Sequence, residues 1–579
     1  MNERTDITVQ INAILARLHA RRAEWAQLPV AARIALLQAV RERIAGAAPR
    51  WIALSDEAKG VAPDSPPEGE EWTSGPWALL ATCDHLLLTL NGIARDGKPP
   101  IAKLAMRHVD GGQLAVEVFP QTLFDRLLLS GVKAEVWMAP GISESNLAEH
   151  CAQAYRPGTR IDGELGLVLG AGNISSIAPL DALYKLFTDK AVCIVKLNPV
   201  NDYLLPVFEQ IFAPLIERGY LHFVTGGGDV GAFLCQHPLV ETMHITGSQA
   251  THDAIVFGPG AEGEAKRLAN RPRNPRPISS ELGAVCPTIV VPGPWTAADI
   301  DFQARNIATQ KLHNSGFNCV AAQVLVLPAG WNLTPALRAA VRTQLAAAPD
   351  RQPYYPGATE RQGALNAAQG GAQRINAAAA AATRELVTLP DPDSPNDYAR
   401  RTEVFAPTLC EQLLPGDAAG AEAYLRAAIA YANDKLRGTL GANLIIHPAT
   451  QQALGPRFEA LLRELHYGCI AINGWTGMAY MLTMTPWGAF PGHTLADVQS
   501  GIGSVHNTFM FDRAERTVVS APFRPFPRSL LGGGLTLLPV PPWFVSNKRA
   551  HRIAQKLLAF QVKPGWTKLP GIFIEALRG

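Results

Sequence analysis

An α/β architecture with two parallel-sheet domains is what this sequence predicts, on three observations. The chain has 579 residues, well beyond the roughly 250–300 at which one hydrophobic core stops growing. Its 47% apolar and 18% charged residues suit large buried cores rather than a disordered chain. From residue 163 onward, short apolar runs alternate with helical periodicities, the pattern of parallel strands joined by crossover helices.

The elements follow in order. Ile11, Leu15 and Leu18, then Ile34, Leu37, Val40 and Ile44, recur at three- and four-residue spacing, which predicts helices through about residue 50. Residues 61–75, rich in Pro, Gly and acids, read as a loop, and 76–155 as mixed helix and strand. G-E-L-G-L-V-L-G-A-G-N from 163 is a strand ending in glycine, and L-D-A-L-Y-K-L-F a helix. A-V-C-I-V-K-L-N is a buried strand, and the segment ending at Gly219 a second helix. L-H-F-V-T-G-G-G is a strand followed by a short helix, and E-T-M-H-I-T-G-S another strand. Residues 258–277, a Pro/Gly/Arg stretch, read as a loop between domains, and a second α/β stretch runs from 278 to about 480. The alanine run at 377–383 favours helix. Residues 505–579 form a tail rich in Pro, aromatics and Arg, within which 529–545 read as apolar loop and extended segments packed on the body.

Composition narrows the partners. The net charge is +2 and no block of like charge marks a nucleic-acid or anionic-membrane surface. Membrane contact through the C-terminal tail is the lesser alternative. The eight cysteines, at 83, 151, 193, 235, 286, 319, 410 and 469, form no C-x-x-C and no zinc spacing. That predicts reduced thiols, a cytoplasmic protein and no metal. The N-terminus lacks the apolar segment of a secretion signal.

Two motifs raise chemistry. G-A-G-N-I-S at 170–175 follows a strand and precedes a helix, close to the dinucleotide fingerprint G-x-G-x-x-G. Ser175 replaces the third glycine, and the next strand ends in Lys196 rather than an acid. Alone the match is weak; it places Asn173 at a strand end, facing a cleft or capping a helix. N-S-G-F-N-C-V-A-A-Q at 314–323 sets a single thiol, Cys319, in a loop without bulky branched neighbours before it.

An ordered set of motifs then gives a resemblance. G-x-G-N (170–173), V-K-L-N-P (195–199), V-T-G-G-G-D-V-G (224–231) with H-P (237–238), H-I-T-G-S (244–248), E-L-G (281–283), N-S-G-F-N-C (314–319), E-V-F-A-P (403–407) and A-I-N-G-W (471–475) occur in sequence. Over roughly residues 1–500 the chain resembles the aldehyde dehydrogenase superfamily. The 23 positions between Asn173 and Lys196 fit it. The first α/β half also looks like the superfamily's acyl-CoA reductases. The resemblance implies an aldehyde dehydrogenase-like fold, with two parallel-sheet α/β domains, an oligomerisation arm and a C-terminal extension. The expected division is 1–280 for the N-terminal helices and cofactor-binding domain, with part of the arm near 130–150. Residues 281–480 would be the catalytic domain, and 481–579 the return, arm strand and tail. The arm strands are expected at 133–140 and 503–511, and the assembly as a homodimer or homotetramer.

The resemblance also implies roles. Cys319 would be the nucleophile, a thiol needing activation because few thiols ionise at neutral pH. The Asn173 amide and the Cys319 backbone N–H would hold the oxyanion, and Glu281 would be the general base for thioester hydrolysis. A cofactor, NAD or NADP, would be bound by Lys196, Asn198, Gly228, Thr246, Gly247, Ser248, Glu403 and Phe405. Core packing is the alternative reading for Phe405, and a structural ion pair for Glu281.

Departures refine this. Pro199 stands where NAD-preferring members often carry an acid, so nothing there repels a 2′-phosphate. Gly172 replaces a frequent aromatic and is expected to widen the substrate channel. With the apolar tail, that points to an apolar aldehyde of medium or long chain, or a bulky one. Three functions are distinguished: oxidation of an aldehyde to a carboxylic acid, acyl-CoA reduction or CoA-acylating oxidation, and a non-catalytic binding protein on the same fold. The presence of Glu281, Asn173 and Cys319 together favours the first.

Overall fold

A computed structural model of the chain describes residues 2–156, 158–159, 161–376, 383–525 and 540–579. Most of the alanine run and residues 529–539 of the predicted apolar loop lie outside these.

The N-terminal periodicity forms two long helices, Asn2–Gln27 and Val30–Lys59, burying Leu15, Leu18, Trp25, Leu37, Val40 and Ile44. The second stops at Gly60, whose left-handed φ of 61° closes the C-terminus. Residues 61–75 are not all loop. The chain turns back into helix at Glu68–Trp72 and continues through a wide π turn, Thr73–Trp77, into Ala78–Asp96. The acids that suggested a solvated loop are buried and paired: Glu70 with Arg351, and Glu71 with Lys59. The span Glu68–Asp96 is long and apolar enough to cross a membrane, yet 67% of its apolar window is buried inside the fold, which makes it a core helix here.

Strands number in chain order: β1 (Ala105–His108), β2 (Leu114–Phe119), β3 (Lys133–Met138), β4 (Leu165–Leu169), β5 (Val192–Lys196), β6 (Leu221–Val224), β7 (Thr242–Gly247), β8 (Ile278–Leu282), β9 (Cys286–Val290), β10 (Ala322–Pro328), β11 (Gln373–Arg374), β12 (Glu385–Thr388), β13 (Thr408–Leu414), β14 (Gly441–Ile445), β15 (Cys469–Ile472), β16 (Pro486–Trp487), β17 (Gly501–Ile502), β18 (Val505–His506) and β19 (Ala514–Ser520). The first sheet runs β17-β8-β7-β4-β5-β6, parallel throughout except for β17. From β4 the chain moves outward to β5 and β6, then returns to the other side at β7. The carboxyl ends of β4 and β7 therefore flank a topological switch point, where open α/β sheets form ligand crevices.

The second sheet runs β1-β2-β3-β19-β15-β14-β9-β10-β13-β12-β11. Its centre, from β19 to β12, is parallel, and β3, β2, β1 and β11 extend it antiparallel. The arm therefore joins the second sheet within one chain, β3 pairing with β19. The expected arm strand at 503–511 is instead 514–520. His506, Asn507 and Met510 take φ of 62°, 46° and 58°, which turns the chain and prevents an extended strand there.

The 258–277 stretch is not simply loop. Gly260–Leu268 is helical, supported by Glu262–Lys266 and Glu264–Arg267 pairs one turn apart. The following strand, β8, completes the first sheet, so the chain crosses between sheets at Gly283–Val285 and Glu281 rides on the first. The tail adds two helices, Ala550–Val562 and Leu569–Leu577.

Candidate active site between the two sheets

The first sheet presents its carboxyl ends to the second sheet's amino ends, and two cavities meet between them. The larger, about 1040 Å³, opens along the carboxyl ends of β4, β5 and β7. Lys196, Asn198, Gly228, Thr246, Gly247, Ser248, Glu403 and Phe405 all line it. The smaller, about 200 Å³, is apolar and lies on the other side. Asn173, Ile177 and Cys319 line both.

Cys319 sits just before β10 and is the only cysteine among the described residues that is not fully buried. Its loop is unusual backbone. Asn314, Ser315 and Gly316 are successively left-handed, with φ of 52°, 56° and 81°. Such residues persist only where their surroundings hold them, and here a polar cluster does. The Asn314 N–H donates to Glu70 at 3.0 Å, and its amide donates to the carbonyls of Asn173 and Phe317, each at 3.0 Å. Its side-chain oxygen accepts from Tyr354 at 2.9 Å and Lys59 at 3.4 Å. Downstream, the Trp475 indole donates to the Val320 carbonyl at 3.2 Å.

Asn173 is buried, and its amide donates to the Phe317 carbonyl at 3.0 Å. Its own carbonyl accepts from Lys59, Asn314 and Tyr354. It does not cap the following helix, Ile177–Leu183, whose N-cap is Ser176. Gly172 does not widen a channel. It lines neither cavity, and a Cβ there would meet Val200 at 2.7 Å and Asn198 at 2.8 Å. The glycine allows close packing of two loops.

Glu281, on β8, lies beside the Cys319 thiol on the wall of the larger cavity. Burial pushes the Glu281 carboxyl up to about 8, partly offset by the neighbouring thiol. Burial, and then the Glu281 charge, hold the thiol well above its ordinary value. Both shifts favour the protonated, uncharged forms near neutrality, so the thiolate forms only as its proton is taken up during reaction. A structural ion pair does not describe Glu281: no cation pairs with it among the described residues.

The cofactor-type residues fall at the crevice. Lys196 ends β5, with its ammonium lowered by burial and partly supported by Asp202 and Asp229. The Thr246 hydroxyl is committed to Asp181 at 2.9 Å, so Thr246 offers the cleft backbone rather than its hydroxyl. Ser248 caps the Gln249–Val256 helix by accepting from the Thr251 N–H. Glu403 is half-buried, with its Oε1 inside, and is raised to about 8 by loss of solvent first and then by the nearby Glu281. It lies directly over Gly283, where a Cβ would come within 2.0 Å of its carboxylate. Phe405 both lines the cleft and packs, its ring 4.9 Å from Tyr355 and 5.8 Å from Phe317.

Sequence reasoning missed Lys59, Glu70, Glu71, Tyr354 and Arg361. Lys59 reads as an ordinary last-turn lysine ahead of a C-cap glycine. Tyr354 and Tyr355 carried a signal: two adjacent tyrosines between prolines, in a loop. Arg361 supports the cleft by donating to the carbonyls of Val404 and Phe405.

Comparison with known proteins agrees with this fold. Residues 193–413 match the aldehyde dehydrogenase family. Among solved structures, a putative aldehyde dehydrogenase from Burkholderia cenocepacia is 17% identical with a TM-score of 0.57, covering 88% of this chain and 91% of that one. An NAD-dependent aldehyde dehydrogenase from Sinorhizobium meliloti gives 17% and 0.57 over 90% and 88%. An NADP-dependent enzyme of E. coli gives 14% and 0.57 over 88% and 88%. No curated protein sequence matches significantly. Residues 193–413 thus carry the aldehyde dehydrogenase family's pattern, and the chain shares the aldehyde dehydrogenase fold over most of its length.

Proposed function

We propose that the protein oxidises an apolar aldehyde to a carboxylic acid with NAD or NADP, through a covalent adduct on Cys319. The observation that carries this is the position of Cys319, beside Glu281 and at the junction of a polar cleft and an apolar chamber. A nucleophile that must reach both an aldehyde and a hydride acceptor belongs at such a junction.

The cleft residues fit a dinucleotide. Lys196, a buried cation at a strand end, suits ribose hydroxyls or a 2′-phosphate. The glycines at 228 and 247 let backbone approach a ligand closely, and Glu403 offers a buried carboxyl oxygen, Oε1, unpartnered among the described residues. When bound there, a nicotinamide supplies the hydride acceptor. Everything else falls to the chain. Glu281 takes the thiol proton as sulfur bonds to the aldehyde carbon. The Asn173 amide and the Cys319 N–H steady the oxyanion, each such donor being worth about 10²–10³ in rate. After the thiol proton has passed to solvent, Glu281 accepts a proton from the water that opens the thioester and returns it to the departing Cys319 sulfur.

The test is absorbance of reduced cofactor when purified protein meets NAD or NADP and a series of aldehydes, with Cys319→Ala beside it. Turnover lost in the mutant supports the reading. Turnover in the reverse direction alone, from acyl-CoA and reduced cofactor, would replace it with acyl-CoA reduction.

A further inference from the structure

The apolar chamber beside Cys319 is not closed by the two sheet domains alone. Its near end is formed by residues such as Trp77, Met478 and Tyr480. Its other wall comes from the C-terminal extension: Trp543, Ile553, Leu557, Phe560 and Ile572. These lie on or just before the helices Ala550–Val562 and Leu569–Leu577.

The helix pair is a unit with its own core. Ile553, Phe560, Leu569, Ile572 and Ala576 form a buried cluster separate from the other three, against Phe124, Leu127 and Leu128 of the short Leu123–Leu128 helix. Phe560 meets Phe124 edge-on at 5.2 Å. Ile553, Phe560 and Ile572 thus belong to this core and to the chamber wall at once. The unit is fixed to the body. Arg41 donates to the carbonyls of Gln561 and Val562, and Gln561 donates to Asp84 at 2.7 Å. At the other end, Gly69 lies against Ala550, where a Cβ would come within 2.5 Å of backbone.

Several of the chamber's polar groups are already engaged, while His313 Nδ1 and Trp487 Nε1 have no partner among the described residues. His85 bonds Thr483, Asp125 accepts from the N–H groups of Gln121 and Thr122, and Asn318 donates to the His313 carbonyl. No lysine or arginine lines it among the described residues. A substrate carrying carboxylate or phosphate would lose its hydration there without meeting a countercharge.

We propose that the C-terminal helix pair is the specificity wall of the chamber, selecting uncharged aldehydes with a long aliphatic or arylalkyl tail. This rests on the reading of Cys319 as the nucleophile for an aldehyde. Two- and three-carbon aldehydes would leave most of the chamber unfilled, and each methylene buried in an apolar pocket is worth about fourfold.

The test uses unbranched aldehydes from two to twelve carbons, with kcat and KM measured separately on the full chain. Primary amides of the same lengths, which carry no reactive carbonyl, are titrated calorimetrically into Cys319→Ala. Phe560→Ala enlarges the wall, Leu557→Phe reduces the chamber, and Trp566→Ala alters an exposed side chain of the same unit that touches Phe124 but not the chamber. The expected result is a kcat/KM and an amide affinity that climb with length. Leu557→Phe cuts the values for the longest members at least tenfold through KM, Phe560→Ala moves the optimum to longer chains, and Trp566→Ala leaves the length profile in place. Where Phe560→Ala fails to fold, Leu557→Phe decides alone. A change of equal size at every length would mean a purely structural role and would overturn the proposal, as would a flat wild-type profile. Length-graded amide binding without aldehyde turnover would keep the wall and remove the oxidation reading; no length-graded binding would remove the wall even if aldehydes turn over.

Discussion

Lys59 and Asn173, 114 positions apart in the chain, meet at 3.2 Å, the lysine Nζ donating to the asparagine carbonyl. The same ammonium pairs with Glu71 at 2.8 Å, and both charged side chains are nearly fully buried. Through this contact the N-terminal helices grip the two loops that carry Asn173 and Cys319. Removing one partner of a buried pair leaves the other charge uncompensated.

Lys59→Met is therefore expected to cost about 3–5 kcal/mol of stability. It should also lower kcat more than it raises KM, because it releases the left-handed Asn314 loop. Denaturant unfolding and steady-state kinetics check this. A loss below about 1 kcal/mol, typical of exposed pairs, would mean that the clamp is not needed.

Glu281 and Glu403 predict a pH dependence of stability in the cofactor-free protein. Both folded-state values are raised from 4.5 to about 8 by burial. The folded state then binds more protons than the unfolded state between these limits. Their contribution is fully present below about pH 4.5 and is lost as pH rises through about 8. Melting temperature should fall across that window, and Glu281→Gln should flatten the fall. A wild-type melting temperature that rises between pH 6 and 9, with no change in the mutant, would contradict the burial of an unpaired carboxyl.

The same environment bears on thiol reactivity. With burial and the Glu281 charge both raising Cys319, alkylation by iodoacetamide should be slow at pH 7 and accelerate steeply above pH 8. Peptide mass mapping distinguishes Cys319 from the seven buried thiols. Rapid alkylation at pH 6 would show a preformed thiolate.

Gly283→Ala probes the cleft without touching the core. The added Cβ would displace the Glu403 carboxylate, the movable end of a side chain rather than backbone. The variant should fold normally and raise KM for the cofactor about tenfold, the weight of one lost charge-assisted hydrogen bond. An unchanged KM would remove Glu403 from the cofactor site.

Much of this arrangement is legible in the sequence where residues act near their own strand ends. Asn173 and Lys196 follow from strand–glycine patterns, Thr246 and Glu281 from the family resemblance, and all four line the crevice at the first sheet's switch point. What escapes sequence reading is tertiary. The acids at 68–71 look solvated because nothing nearby in sequence neutralises them; their partners, Lys59 and Arg351, are brought in by folding. Gly172 reads as open space because it lacks a side chain, yet the space is filled by Val200 and Asn198. The expected strand at 503–511 fails on backbone turns that Asn507 and His506 adopt in context. The C-terminal helices hide in a segment whose prolines and aromatics suggest loop, because their apolar faces match a partner surface elsewhere, at Phe124 and Leu128.

In the proposed mechanism Cys319 carries the covalent adduct at the junction of the two cavities. The decisive experiment is rapid mixing of the protein with NAD or NADP and a ten-carbon aldehyde, quenched in acid and read by intact-protein and peptide mass spectrometry. An added decanoyl mass of one acyl group is expected, confined to the peptide bearing Cys319, enriched in Glu281→Gln and absent in Cys319→Ala. Turnover of the aldehyde by Cys319→Ala at the wild-type rate, or an acyl group on any other residue, would contradict it.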